Sequence, residues 1–328
     1  MNKVATRAFV SFVAMGLCTS LHAKNYAERD ALRARSITTG MPSSSVTILG
    51  IDSSRTRSPE SIVGRFRSAG LVTSPTRSSH QDQLRTLIRG DDWRIEVAND
   101  GTAAKYRRLD TIKNCRPYDN NPPDNALLQS AARARIENGL GDIIGLSPAD
   151  TVVPYSTRHE FKISHTVATN VETTEICSSI VSFSRRFDGV DIVGHGSRIQ
   201  IILDPDLTVV GLFFDWPRLV ATSQNQQLLD ISGITSRVRQ LGLLTTEPTA
   251  VQEAMECGLH DPGYRFRGAS TKIQAGCSIY TRYYHPLAGS AQSTAASLDT
   301  VPIGVDVIKD PSWDVVARYC SSGQKCVD

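Results

Sequence analysis

The sequence predicts an α+β protein in which helices pack on antiparallel sheet, built as two such units behind a less regular N-terminal region. Three observations predict it. A capped amphipathic helix starting at Asp124 precedes four strand-like runs joined by turn residues. A looser version of that order recurs between residues 226 and 328. Residues 24–90, rich in Ser, Thr and Arg, show little apolar continuity.

The first 23 residues read as a secretory signal peptide. Lys3 and Arg7 form a basic start without an acid, Ala8 to Leu17 is apolar except for Ser11, and Leu21-His22-Ala23 offers a small residue for cleavage. The apolar run, about ten residues, is too short to cross a hydrocarbon core of roughly 30 Å. An uncleaved anchor is the alternative, and it lacks a stop-transfer pattern. Leu17 before Cys18 argues against a lipoprotein. The expectation is a secreted or periplasmic chain, cleaved near Ala23, with no membrane span after cleavage.

Residues 24–120 follow as a region with polar loops. Val46-Thr47-Ile48-Leu49 predicts a short strand. Ser58-Pro59-Glu60 supplies a cap, a first-turn proline and a first-turn acid for a helix carrying Ile62, Phe66 and Ala69. Alternation from Trp93 and the turn residues Asn99-Asp100-Gly101 predict a hairpin over 93–109.

Asn120-Asn121-Pro122-Pro123 reads as a linker into a domain over 121–225. Asp124 caps a helix with Leu128, Ala131, Arg135 and Ile136 at helical spacing, ended by Gly139. Strands are predicted at 158–167, 179–187, 198–203 and 208–216, each with one apolar face. The domain over 226–328 has a helix with Ile234, Val238 and Leu241, then strands at 277–284, 301–308 and 313–319.

Cleavage leaves 305 residues, with 34 basic against 33 acidic side chains. Near neutrality argues against a nucleic-acid partner. Seven cysteines become six without Cys18. An even number in an exported chain favours disulfides over metal sites, though six cysteines allow 15 pairings. Proximity suggests Cys320–Cys326 and Cys257–Cys277, leaving Cys115 for Cys177; buried free thiols are the alternative.

Phe187-Asp188-Gly189-Val190-Asp191-Ile192-Val193-Gly194 reads as strand, tight turn, strand, with Gly194 and Gly196 permitting a bulge or close backbone approach. It continues through Ile199–Asp206 into Val209-Val210-Gly211. The segment 181–214 resembles the hairpins of fungalysin/thermolysin propeptides and PepSY-type modules, and residues 124–220 resemble them in layout. Phe187 takes the aromatic place, Gly189-Val190 the turn exit, Val193 the inward position and Gly194 the following glycine. The resemblance implies a cystatin-like helix-on-sheet fold and a role in binding a protease, either to inhibit it or to help it fold. No His-Glu-x-x-His motif is present, and about 110 residues follow the segment, so any inhibition would act in trans.

Other chemistry reads weakly. His159-Glu160 begins like a zinc motif, but strand alternation puts His159 and His165 on the face opposite Glu160. Gly194-His195-Gly196-Ser197-Arg198 has the wrong spacing for a nucleophile elbow. Asp204 and Asp206 supply too few oxygens for calcium. Tyr280, Tyr283 and Tyr284 with Arg282 and His285 could form an aromatic binding surface, or be ordinary strand tyrosines. No catalytic, metal or cofactor residue is assigned. The expectation is an exported, non-enzymatic binding protein whose partner is a secreted protease or another exported protein. The alternatives are a structural or envelope-associated protein and a hydrolase whose site assembles from distant residues.

Overall fold

The computed structural model describes residues 45–53, 57–110, 115–119, 121–166, 171–194, 196–227, 250–264, 272–286, 295–305 and 316–318. The expected signal peptide, His195, Cys320, Cys326 and the helix expected around Ile234 lie outside these residues.

The first strand, β1 (Ser45–Ile51), is followed by α1 (Pro59–Ser68). Ser58 caps α1, its Oγ accepting the Ser61 N–H at 3.2 Å, and Ile62, Val63 and Phe66 form its buried stripe. Four antiparallel neighbours come next: β2 (Ser78–Gln81), β3 (Arg85–Arg89), β4 (Trp93–Ala98) and β5 (Ala103–Arg108). After the two-residue β6 (Arg116–Pro117) comes α2 (Asn125–Arg135), capped by Asp124, which accepts the Ala126 N–H at 2.9 Å. Regular helix stops at Arg135, four residues before the glycine expected to end it. A wider turn over Ile136–Leu140 leads into the short α3 (Gly141–Ile144). Arg57 donates to the Ile143 and Ile144 carbonyls at the end of α3, and burial pushes its pKa down.

Two seventeen-residue strands, β7 (Asp150–Thr166) and β8 (Val171–Phe187), form a long antiparallel ribbon. They are followed by β9 (Val190–Val193), β10 (Arg198–Leu203), β11 (Val209–Asp215) and β12 (Leu219–Gln227). The last strands are β13 (Ala250–His260), β14 (Lys272–Pro286), β15 (Ala295–Val305) and β16 (Val316–Arg318).

All sixteen described strands belong to one sheet, whose main path is β12-β1-β14-β13-β9-β8-β10-β11-β5-β4-β3-β2. This overturns the expected fold class. There are not two cystatin/PepSY-like helix-on-sheet units behind an irregular region, but one large mixed sheet with a few short helices. The described part of 24–120 supplies six of its strands and α1. Strand β1 hydrogen-bonds to both β12 and β14, tying the start of the described chain to its later strands. Strands β13 and β9 pair in parallel, with Leu259 against Ile192 and His260 against Val193. The physical reason is that alternation fixes which face of a strand is apolar and says nothing about which strand lies beside it.

The main core lies on one face of the β8-β10-β11-β5-β4 region. Val181, Phe183, Ile199, Ile201, Leu212, Phe214, Tyr106, Ile95 and Trp93 are buried there with Ile62 and Phe66 of α1 and Leu128 and Ala132 of α2. The Phe66 and Tyr106 rings lie 5.3 Å apart, and the Tyr106 hydroxyl donates to the Leu71 carbonyl at 2.7 Å. Among the described residues no helix is long and apolar enough to cross a membrane.

Candidate functional site

The opposite face of the same strands carries the polar chemistry. The pairings give one unbroken row across seven strands: Arg89, Arg94, Arg107, Gly211, Ile202, Ile180 and Arg158. The adjacent row runs Leu87, Glu96, Lys105, Phe213, Gln200, Ser182 and Ser156. Neighbouring strands lie about 4.8 Å apart, so β5 and β7, four steps apart, would be roughly 19 Å apart in a flat sheet. Yet Arg107 Nη2 donates to Glu160 Oε1 at 3.3 Å. Two side chains span that distance only if the sheet curls, which makes this face concave.

A cavity of about 340 Å³ occupies the concavity. Its floor includes Ile180 and Ile202, which with Val210 form a small apolar cluster. Its walls include Arg107, Arg158 and Glu160, and Glu160 Oε2 also accepts the Ser178 hydroxyl. Gly211 leaves room for this arrangement. A Cβ there would lie 2.7 Å from Ile202 Cδ1 and 3.1 Å from Arg107 Cδ.

Pro262, Gly263 and Tyr264 close one side of the cavity. Two buried carboxylates hold that segment. Asp215 Oδ2 accepts the Tyr264 N–H at 2.7 Å. Asp261, 0% exposed, accepts from Ser197 Oγ at 2.8 Å and from the Gly263 N–H at 3.0 Å. Backbone bonds complete the junction: Asp261 N–H donates to Val193 O, and Gly196 N–H to Asp261 O, each at 2.9 Å. Gly194 and Gly196 are therefore sites of close approach. An added Cβ would lie 2.4 Å from Asp261 O at Gly194, and 2.2 Å from its carboxylate carbon at Gly196.

The other residues singled out from sequence are placed as follows. Phe187 pairs with Val190 across a turn in which Asp188 and Gly189 both have positive φ, 47° and 82°. Val193 sits in the parallel pairing with β13, and Gly194 follows it against Asp261. Cys115 is disulfide-bonded to Cys177. Cys257 lies opposite Cys277 in the β13–β14 register. Tyr280, Tyr283 and Tyr284 lie on β14, where Tyr280 and Tyr283 pair with both β13 and β15 and Tyr284 pairs with β15.

His159 Nδ1 lies 2.9 Å from Ser179 Oγ, on neighbouring positions of β7 and β8, and neither residue lines the cavity. The ribbon has a bulge between Glu160 and Phe161, so the alternation expected for β7 shifts there. Asp204 is buried in its turn, accepting the Asp206 and Thr208 N–H groups at 2.9 Å, while Asp206 pairs with Arg116. Among the described residues no three His, Cys, Asp or Glu side chains converge as a metal site.

A second charged cluster is sealed off. Arg185 and Asp150, each with a side chain 1% exposed, pair at 2.6 Å. Arg185 also donates to Pro217 O at 2.7 Å and lies 4.5 Å over the Trp216 ring. Asp150 Oδ2 accepts from the Ser147 N–H, the Ser147 hydroxyl and Trp216 Nε1. With its polar groups satisfied inside the protein, the cluster joins β7, β8 and the β11–β12 connection and offers nothing to a ligand.

Sequence reasoning missed the cavity residues Arg107, Arg158 and Tyr264. Residues 89, 94, 107 and 158 have no common spacing. One signal was present: Arg89 and Arg94 flank Gly90-Asp91-Asp92-Trp93, as the ends of a hairpin would.

Comparison with known proteins adds little. No protein-family model matches the chain, and no curated protein matches it. Among solved structures it is similar to the crystal structure of an uncharacterized protein from Eubacterium rectale ATCC 33656. That likeness has 10% identity and a TM-score of 0.46, covering 87% of this chain and 86% of the other.

Proposed function

We propose that the chain is an exported, non-enzymatic binding protein that receives an anionic group in the cavity walled by Arg107 and Arg158. The observation that supports this reading most is the cavity itself: a curled sheet face with an apolar floor and guanidinium groups at its walls. Guanidinium groups suit carboxylate and phosphate because their planar fork donates two parallel hydrogen bonds. Arg107 pairs with Glu160 at 3.3 Å, so an entering anion competes with an exposed carboxylate.

The test is thermal unfolding of the secreted form with succinate and with inorganic phosphate. A saturable rise in Tm is expected for the native chain, lost in Arg107→Ala and in Arg158→Ala. A rise that persists in both variants, or no rise with either anion, would rule the cavity out. Export itself is tested by the N-terminal sequence of protein collected outside the cytoplasm, expected to start at Lys24.

The resemblance of residues 181–214 to propeptide hairpins favours a second reading, a trans-acting inhibitor of a secreted protease. The overturned fold class removes the cystatin-like layout it implied, leaving the Asp188-Gly189 hairpin in its support. Stoichiometric inhibition of a thermolysin-type protease by the secreted chain is the outcome that reading requires.

A further inference from the structure

We infer that the ligand of the cavity is one end of an acidic polysaccharide of the polyuronate type, whose next residues lie along Arg89, Arg94 and Arg107. The inference rests on the cavity reading above and extends it from one anionic group to a chain of them.

The row Arg89, Arg94, Arg107 places three like charges directly opposite one another on β3, β4 and β5. Such an arrangement is unfavourable in a sheet. The ladder Ser78, Arg89, Arg94, Arg107 continues to the edge strand β2. Arg89 and Arg94 are exposed, and neither has an ion-pair partner among the described residues. Nearby carboxylates are engaged elsewhere: Glu96 with Arg85 at 2.6 Å, Asp91 with Arg77 at 2.8 Å. The fold therefore leaves Arg89 and Arg94 exposed without an acid partner among the described residues, beside Arg107, which Glu160 pairs at the cavity wall.

The spacing and surroundings select the ligand class. Adjacent guanidinium groups branch from strands about 4.8 Å apart. That step is of the order of the rise of one pyranose residue, so a uronate chain, with one carboxylate per sugar, matches the arginine row in charge per unit length. Beside the row stands the partly exposed ring of Phe213, next to Lys105, and Tyr264 faces the same cavity. Aromatic faces are electron-rich and receive the C–H groups of a sugar ring. Guanidinium for the carboxylate and a ring for the sugar face are the two contacts a uronate needs.

The experiment titrates the full secreted chain with galacturonate, with an oligogalacturonate of about six residues, and with neutral maltohexaose. Three proteins are compared: native, Arg89→Ala/Arg94→Ala, and Arg107→Ala/Arg158→Ala. The oligomer is expected to bind more tightly than the monomer, and more weakly as salt rises. Removing Arg89 and Arg94 should weaken the oligomer roughly tenfold and leave the monomer unchanged. Removing Arg107 and Arg158 should abolish both. The Arg89→Lys/Arg94→Lys variant, which keeps the charge, controls for folding and should bind the oligomer with intermediate strength.

If the ladder variants bind the oligomer like the native chain while the cavity variant does not, the glycan track is wrong and the cavity reading stands. If neither galacturonate nor its oligomer binds, the track is wrong, and the succinate and phosphate titrations decide the cavity separately. Equal affinity for maltohexaose, or for a single-stranded oligonucleotide of matched charge, would overturn the uronate assignment.

Discussion

At the scale of single residues, burial decides which charges hold the fold and which are available. Arg185 and Asp150 are shut away from water, so removing one partner strands the other. Arg185→Met should cost about 3–5 kcal/mol, read as a lower urea midpoint, whereas Arg185→Lys, which keeps the charge but loses the planar stack on Trp216, should fall between. Tyr106 gives a pH signature. Burial raises its pKa from 10.0 to about 12, so the folded protein keeps a proton that the unfolded chain has begun to lose. The resulting stability is complete below pH 10 and disappears as pH climbs towards about 12. Tyr106→Phe should flatten that alkaline slope in denaturation measured across the window, and an unchanged slope would show that the hydroxyl does not titrate with unfolding.

At the scale of elements, the two kinds of glycine separate strain from collision. Gly189 occupies a positive-φ turn with open space around it, so Gly189→Ala should cost about 1–2 kcal/mol of backbone strain. Gly196 faces a buried carboxylate that is already committed to two donors, and an added methyl cannot push it aside. Gly196→Ala should cost roughly 1–3 kcal/mol of overpacking. It should also speed hydrogen exchange at 261–264, which Gly189→Ala should leave alone. The Cys115–Cys177 bond joins residues 62 apart in sequence, and the loop-entropy account assigns such a closure about 4 kcal/mol. The Cys115→Ala/Cys177→Ala chain should melt correspondingly lower than the oxidised protein. Peptide mapping without reduction should also find Cys257 joined to Cys277, since the register sets them opposite. Free thiols there would refute the pairing.

At the scale of the whole molecule, sheet curvature makes the site. Arg107 and Glu160, 53 residues apart, meet only because four strand steps bend them together, and Gly211 provides the clearance. The segment 261–264 arrives from the far side of the sheet, anchored through the parallel β9–β13 contact and the Asp261 junction. The cavity is therefore a property of the sheet as a unit, and variants at Asp261 should alter ligand affinity without touching the ligand.

The chain's local patterns determined much of its local structure. The caps at Ser58 and Asp124, the Asp188-Gly189 turn and the span of β10 follow from neighbouring residues, because capping, turn geometry and alternation act over a few residues. The same patterns read the long ribbon of β7 and β8 only in part, and could not count the helix-on-sheet units. Which strands become neighbours depends on hydrogen bonds between residues far apart in sequence. Only the tertiary structure therefore decided that one mixed sheet runs through the molecule, that it curls, and that scattered arginines line up along its concave face.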